Sequence, residues 1–295
     1  MESILECLPR NGRVAILRLR SLGDCVLTTP ALDILKRHRP DLRLAVVVED
    51  RFRAVFEGSP DIDEILPPSL PALRRWHPRL CLNVHGGTRS AWLTALSGAR
   101  FRAGFGHFRH QAVYNVRIPR AQEILGVERK VHTAEHLASA IFYLGAPISD
   151  VPRARLYASP GQPGRPVIHP FAATPEKTWP AGCFLEVAGH LKESGFEPVF
   201  IGGPADDFSP FQAFHSERGA PLSAIKSLLA AAPLFVGNDS GPAHMAAAFG
   251  IPVVVVFGNS DPAIWGPWRT PSEIVPAASG ARQVLDALAR LRVHA

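Results

Sequence analysis

The sequence lacks any uninterrupted apolar segment of about 18 residues, the length that a membrane-spanning helix needs. Its first ten residues carry Glu2 and Glu6, and they lack the apolar stretch of a secretion signal. A helical membrane protein and a secreted protein are therefore not expected. The sequence predicts a cytoplasmic protein.

Cysteine is also scarce. The four cysteines are widely separated and form no C-x-x-C pair, so neither a zinc site nor a disulfide framework is predicted. We expect them to be small core residues. The segment Asp61-Ile62-Asp63 has the form of a D-x-D metal motif, but it lies between Pro60 and an apolar run and is interpreted as a surface turn. No metal and no cofactor are expected. The cysteines are Cys7, Cys25, Cys81 and Cys183.

Acidic residues are missing from one long segment, residues 65–122, which contains nine arginines. Residues 1–150 hold 21 Lys and Arg against 15 Asp and Glu, whereas residues 151–295 hold 11 of each. The whole excess of positive charge thus lies in the first half. This pattern predicts a surface for an anion, namely nucleic acid, an acidic membrane, or a phosphorylated or carboxylated substrate. The alternative is that these are merely solvated arginines of an arginine-rich chain.

Short apolar runs alternate with helical segments through the first half. The continuous apolar character of residues 42–48 is typical of a strand that is covered on both faces of a parallel sheet. A turn is predicted at residues 21–24, between the first strand and its helix. The predicted strands are residues 13–18, 42–48, 80–84 and 101–104, and the predicted helices are residues 29–38, 89–96 and 133–144.

A segment rich in proline and glycine, residues 150–166, separates this half from a second alternating region. The length of 295 residues suits two α/β domains of about 150 residues each. We predict domains at residues 1–160 and 161–295, each built on a doubly wound parallel sheet. The predicted strands of the second domain are residues 167–169, 198–202, 234–236 and 253–257, and its helices are residues 181–193, 223–231 and 242–249.

Ligands of such sheets bind where strands end, so the loops that follow strands are the places to search. The strongest local pattern is Gly237-Asn238-Asp239-Ser240-Gly241-Pro242, at the start of a predicted helix that contains His244. Free backbone N–H groups and the positive end of a helix dipole suit a phosphate or diphosphate. The alternatives are that Asp239 or Ser240 only caps the helix, and that His244 is a packed histidine.

Two further segments follow strands in the same way. Gly23 and Asp24 come after the first strand of the first domain, where a carboxylate either caps a helix or accepts a proton from a hydroxyl. Thr174 and Lys177 come after the first strand of the second domain, where a lysine suits a phosphate. A G-x-x-x-x-G-K-[ST] loop, a complete dinucleotide fingerprint and an H-E-x-x-H motif are all absent.

In this order, the three segments resemble the ADP-heptose:lipopolysaccharide heptosyltransferase family. The similarity runs from Ile16-Leu17-Arg18 and Leu22-Gly23-Asp24, through Lys177-Thr178-Trp179-Pro180, to Asn238-Asp239-Ser240-Gly241-Pro242-Ala243-His244 and the glycine and proline after it. It covers roughly residues 13–290.

The resemblance implies the GT-B fold, with two Rossmann-like domains that face each other across a cleft. The first domain would bind the acceptor and the second the nucleotide sugar. Asp24 would be the general base of an inverting, metal-independent transfer of heptose or a related sugar from an ADP-sugar. The implied donor-binding residues are Lys177, Thr174, Asp239, Ser240, Gly241 and His244, and the implied acceptor-side residues are Gly23, Arg89 and Arg102.

The implied acceptor is a lipopolysaccharide core or a similar anionic, lipid-linked saccharide, which agrees with the basic first half. The expected protein is a monomer that makes peripheral contact with the inner face of the inner membrane and binds no nucleic acid. It departs from the family in lacking a clear strand in residues 208–222. A sugar-nucleotide epimerase and a non-catalytic nucleotide-sugar-binding protein are the alternatives.

Overall fold

A computed structural model describes residues 3–159, 164–172, 174 and 178–291. The described residues form two compact units, Met1–Pro152 and Arg153–Ala295. The division lies eight residues before the boundary predicted at 160. Ala154 and Leu156 are buried, and the guanidinium of Arg153 lies against Gly250 in the second unit. Residues 153–159 therefore pack with that unit instead of forming a free linker.

The first unit is a parallel six-stranded sheet in the order β3-β2-β1-β4-β5-β6. Its inner strands are apolar apart from Arg13, Arg43, Asn83 and Arg102, as expected of strands that helices cover on both faces. The strands are β1 (Arg13–Leu17), β2 (Arg43–Val47), β3 (Glu64–Leu66), β4 (Leu80–Asn83), β5 (Phe101–Phe105) and β6 (Val116–Ile118). The helices are α1 (Leu22–His38), α2 (Leu70–Trp76), α3 (Thr88–Leu96), α4 (Ala121–Leu125) and α5 (Thr133–Leu144).

Alternate residues of each strand pack against the two helix layers of this unit, because successive side chains of a strand point to opposite faces of the sheet. Leu73 of α2 and Leu93 of α3 pack on Leu17 and Val47 together with Trp76. Helices α1 and α5 pack against each other. The long β3-α2-β4 connection crosses over the sheet and places α2 beside α3.

The second unit repeats this plan in a parallel sheet of order β12-β11-β10-β7-β8-β9. Helices α6 and α10 pack together, as do α7 and α8. The strands are β7 (Val167–His169), β8 (Val199–Gly202), β9 (His215–Arg218), β10 (Phe235–Asn238), β11 (Val253–Phe257) and β12 (Ser272–Pro276). The helices are α6 (Ala181–Glu193), α7 (Leu222–Ala231), α8 (Gly241–Phe249), α9 (Pro262–Trp265) and α10 (Ala281–Arg290).

The predicted fold class, two α/β units with doubly wound parallel sheets, is confirmed. The prediction that residues 208–222 lack a strand is wrong, because β9 pairs in parallel with β8 there. This strand was missed because it is an edge strand of sequence His-Ser-Glu-Arg, whose polar side chains face solvent. The core role expected of cysteine holds fully for Cys25 and Cys81, whereas Cys7 and Cys183 are only half-buried. None of the described helices is long and apolar enough to cross a membrane.

Candidate functional site

Both sheets reverse their strand order at the middle, between β1 and β4 in the first unit and between β7 and β10 in the second. Connections leave these neighbouring strands in opposite directions, which opens a crevice at their carboxyl ends. Asp24 follows β1 at such a point. The turn predicted at residues 21–24 is wrong for Asp24, because α1 already begins at Leu22 and includes it. Ser21 makes the tight entry into the helix with a φ of 74°.

Asp24 is paired with Arg18, the residue directly after β1. The Arg18 Nη1 and Asp24 Oδ2 atoms are 3.8 Å apart, and 7% of the arginine side chain is exposed against 20% of the aspartate. Burial lowers the pKa of Arg18, while Asp24 opposes that shift. Arg18 Nε is buried and has no hydrogen-bond partner among the described residues. The carboxylate is therefore held beside a desolvated cation while it remains partly open to solvent.

Two histidines, His85 and His136, lie close enough to interact electrostatically with this pair. Burial and the charges of Arg18 and Arg20 lower the pKa of His85, which follows β4. His136 of α5 stacks on Phe105 at a centroid distance of 4.1 Å. Burial, with His107 and Arg18, lowers the pKa of His136 to about 4, and Asp24 acts in the opposite direction. These imidazoles are consequently neutral at neutral pH, and they offer hydrogen bonds without adding charge.

Asn83, the last residue of β4, fixes the loop beside Asp24. Its Oδ1 accepts hydrogen bonds from the backbone N–H groups of His85 and Gly86, at 3.0 and 3.1 Å. Its Nδ2 donates to Ser90 Oγ and to the hydroxyl of Tyr114, at 3.1 and 2.9 Å. All hydrogen-bonding positions of a fully buried amide are thereby used. The loop that carries His85 is therefore held in one conformation.

The corresponding place in the second unit holds His169 and Ser240. His169 ends β7, and its Nδ1 lies 3.0 Å from Ser240 Oγ. Burial lowers the pKa of His169 to about 4, so the ring is neutral. Ser240 is the N-cap residue of α8 by position, yet its side chain makes no capping hydrogen bond because it contacts His169 instead. Pro242 has no N–H group, and the Ala243 N–H donates to Ser240 O at 3.2 Å, so the Gly241 N–H and the positive end of the helix dipole are what α8 offers to an anion.

Asn238 repeats the role of Asn83 at the end of β10. Its Oδ1 accepts from the Trp179 N–H at 3.0 Å, and its Nδ2 donates to the Pro170 carbonyl at 2.9 Å. The residue is fully buried. Trp179 is itself anchored, because its indole N–H donates to Ser279 O at 2.7 Å. One side chain thus ties both ends of the segment from 170 to 179 to the centre of the sheet.

The structure describes all but one of the other residues predicted on the donor side. Gly241 opens α8, and His244 is buried one turn later in the same helix. Asp239 directly follows β10 and donates its N–H to Val256 O. Thr174 is exposed, and its carbonyl accepts from Thr178 Oγ1. Lys177 lies outside the described residues.

The predicted acceptor-side residues do not all come together. Gly23 adjoins Asp24 in the first turn of α1. Arg89 is exposed in the first turn of α3, and its Nη2 donates to Pro68 O. Arg102 is the second residue of β5, so it lies near the amino end of that strand, and its guanidinium bonds to the carbonyls of Ala99 and Val113. The structure gives Arg102 a role in fixing the β5–β6 connection.

Sequence reasoning missed several residues of the site. Arg18, His85 and His169 stand at strand ends, so the rule about strand ends could have found them. His136 is part of a helix, and no local pattern marks it. Among the described residues, no group of three or more His, Cys, Asp or Glu side chains is arranged to hold a metal ion.

Replacing Asn238 by alanine tests the anchor of the second unit. The variant leaves the Trp179 N–H and the Pro170 carbonyl buried without partners, so we expect a loss of about 2–4 kcal/mol in the free energy of unfolding. Asn115→Ala is the matched control, because Asn115 also accepts from one backbone N–H and donates to one carbonyl, but it is exposed. Water replaces those bonds, so urea unfolding should shift little. Equal losses in the two variants would contradict the anchoring role.

The neutral state of His136 has a measurable consequence for stability. Its pKa of about 4 in the folded protein lies below the ordinary value of about 6.5, so the unfolded chain takes up its proton first as the pH falls. The resulting stability is complete above pH 6.5 and declines toward pH 4. Between pH 7 and pH 5, the free energy of unfolding measured in urea should fall by about 2 kcal/mol less in His136→Gln than in the wild type. An identical decline in both proteins would show that His136 titrates normally.

Comparisons with known proteins bear on the family and the fold. Residues 72–291 match the family model for glycosyltransferase family 9 (heptosyltransferase). Lipopolysaccharide heptosyltransferase 3 of Escherichia coli K12 is 27% identical over 290 residues, which cover 85% of this chain and 83% of that protein.

Two solved structures share the fold. A glycosyltransferase of family 9 from Veillonella parvula has a TM-score of 0.84 at 21% identity, covering 96% of this chain and 97% of its own. The E. coli heptosyltransferase WaaC with ADP has a TM-score of 0.79 at 20% identity, covering 95% and 99%. The family model spans most of the sequence and includes the segment from Asn238 to His244. This protein therefore belongs to glycosyltransferase family 9, the heptosyltransferases.

Proposed function

We propose that the protein transfers a heptose or a related sugar, with inversion, from an ADP-sugar to a lipopolysaccharide core or a similar anionic saccharide. The observation that carries this proposal is the partly exposed carboxylate of Asp24 at the crevice of the first sheet, paired with the buried Arg18. Family membership supplies the reaction class. The solved relative with ADP supports an adenine nucleotide as the leaving group.

Asp24 acts as the general base in this proposal. It takes the proton from the acceptor hydroxyl as that oxygen attacks the anomeric carbon. The bond from that carbon to the diphosphate oxygen breaks, and ADP leaves with the electron pair. Arg18 places a positive charge 3.8 Å from this carboxylate. The neutral imidazoles of His85 and His136 are suited to hydrogen-bond acceptor hydroxyls.

The second unit holds the donor. The Gly241 N–H at the start of α8 and the dipole of that helix stabilise negative charge on the diphosphate. Lys177 supplies a positive charge that stabilises the diphosphate as it leaves. Thr174, Asp239 and His244 complete the donor contacts. Charge stabilisation by these groups is the basis on which we propose metal independence. We assign acceptor binding to residues 1–160 and donor binding to residues 161–295.

We further propose that the protein acts as a monomer in the cytoplasm, in peripheral contact with a membrane that carries the acceptor. We assign Gly23 and Arg89 to the acceptor side. The two alternative functions, an epimerase and a binding protein, predict different experimental results. An epimerase would convert the nucleotide sugar without any acceptor, and a binding protein would hold it without turnover.

Replacing Asp24 by asparagine tests the base. ADP release from ADP-heptose should require a heptose-deficient lipopolysaccharide acceptor, and the variant should release ADP at least about 100-fold more slowly because an amide cannot take the proton. ADP binding, measured by calorimetry, should be unchanged. Release that is independent of acceptor would contradict the transferase and favour an epimerase.

Asp33→Asn is the matched control for this experiment. It removes the same charge from the same helix, where Asp33, with 15% of its side chain exposed, pairs with the exposed Arg37 one turn along. Such pairs contribute little, so wild-type turnover is expected. Asp24→Asn also leaves Arg18 without its partner. Thermal unfolding of the variant, together with Asp24→Glu, therefore separates a catalytic loss from a folding loss. Slow turnover in Asp33→Asn as well would contradict a specific role of Asp24.

Replacing Lys177 by methionine tests the donor side. Loss of a charge-assisted contact to phosphate should weaken ADP binding about tenfold or more, with little effect on the binding of adenosine. Lys192→Met, in the last turn of α6 and exposed, removes the same charge elsewhere in the second unit. Calorimetric titration with ADP and adenosine measures both. Equal affinities of Lys177→Met and Lys192→Met for ADP would remove Lys177 from the donor site.

A further inference from the structure

Helices α2 and α3 present an exposed surface on one side of the first unit, and apart from Arg89 the proposed reaction assigns no role to its residues. On α3, Arg89, Trp92 and Leu96 face outward at helical spacing, while Leu93 packs into the core. Trp92 is 60% exposed and Leu96 is 45% exposed. A tryptophan and a leucine on one turn of a helix thus form an apolar ridge that contacts solvent.

Cations flank this ridge on both sides. Arg74 and Arg75 point outward from α2, and Arg74 Nε donates to Leu96 O at the end of α3. Arg89 Nη2 donates to Pro68 O in the loop before α2. These two bonds tie the helices side by side at both ends. They also hold two guanidinium groups next to the ridge without neutralising them.

Negative charge is absent from the chain that builds this surface. Residues 65–122 contain no Asp or Glu, and they include all of α2, α3 and β5. Tryptophan is enriched where a membrane meets water, and arginines nearby are attracted to anionic headgroups. The combination is that of a surface which rests in the interface of an anionic bilayer.

We propose that the α2–α3 surface, formed by Arg74, Arg75, Arg89, Trp92 and Leu96, docks on an anionic lipid bilayer. This inference refines the membrane contact in the proposed function, and it rests on that function only for the lipid-linked acceptor. A second copy of the chain is a poorer occupant, because a symmetric contact would place these arginines against their own equivalents. A soluble phosphate would leave Trp92 and Leu96 in water.

The position of the surface suits a lipid-linked acceptor. The loop from His85 to Gly87 leads directly from the crevice at Asp24 into the first turn of α3. Asn83 holds this loop rigid, so the docking surface and the crevice belong to one fixed part of the first unit. A bilayer on α2 and α3 would therefore lie against the helix that this loop joins to the crevice at Asp24.

The test is co-sedimentation of the full protein with vesicles, without donor or acceptor. Vesicles of phosphatidylcholine with and without phosphatidylglycerol are compared at low and high salt. Binding should require the anionic lipid and weaken with salt. Trp92→Ala should bind about fivefold more weakly, and Arg75→Glu about tenfold, given that each cation near such a surface strengthens binding about fivefold. Both side chains are exposed, so neither variant should impair folding.

Matched controls lie in the second unit. Trp265→Ala removes another solvent-exposed tryptophan, and Arg282→Glu reverses an exposed arginine of α10. Both should bind vesicles as the wild type does. No binding to anionic vesicles, or equal losses in test and control variants, would overturn the proposal. A change in the mass of the protein without vesicles for Trp92→Ala would assign the ridge to self-association instead. Because no substrate is present, the result does not depend on whether ADP is released.

Discussion

The site depends on one constraint, the reversal of strand order at the middle of each parallel sheet. Parallel strands need crossover connections, and these are right-handed, so connections from β1 and β4 must leave toward opposite faces. The same holds for β7 and β10. Backbone groups at the carboxyl ends of these strands are left without a covering helix. Polar residues gather there because they satisfy those groups and face an open crevice.

An asparagine ends the second of the two middle strands in each unit. Asn83 and Asn238 are both fully buried, and both hold the backbone of a loop that carries a functional residue. An amide suits this position because it accepts and donates from a single planar group without burying a charge. Such a hydrogen bond contributes only modestly to the stability of the protein, but leaving its buried partner unpaired is costly. The two amides therefore fix loop geometry more than they raise total stability.

Much of this arrangement was predictable from the sequence. Strands buried on both faces read as continuous apolar runs, and the position of Asp24 after such a run placed it at a sheet edge. The edge strand β9 was not predicted, because it pairs through its backbone while its side chains are polar. The start of α1 was set too late because Ser21 adopts a left-handed entry that no propensity signals. His136 was beyond prediction, since only the packing of α5 on the sheet brings it to Arg18 and Asp24.

The arginines of the first half have different roles in the structure. Arg102 lies within the acid-free segment, yet its guanidinium is used by neighbouring carbonyls near the amino end of its strand. Arg18 lies outside that segment and is the cation beside the proposed base. The acid-free segment therefore did not identify the cation that pairs with Asp24. The pair arises from the fold, because Arg18 directly follows β1 and lies buried beside the first turn of α1, and a count of charges along the sequence does not show which arginine is buried there.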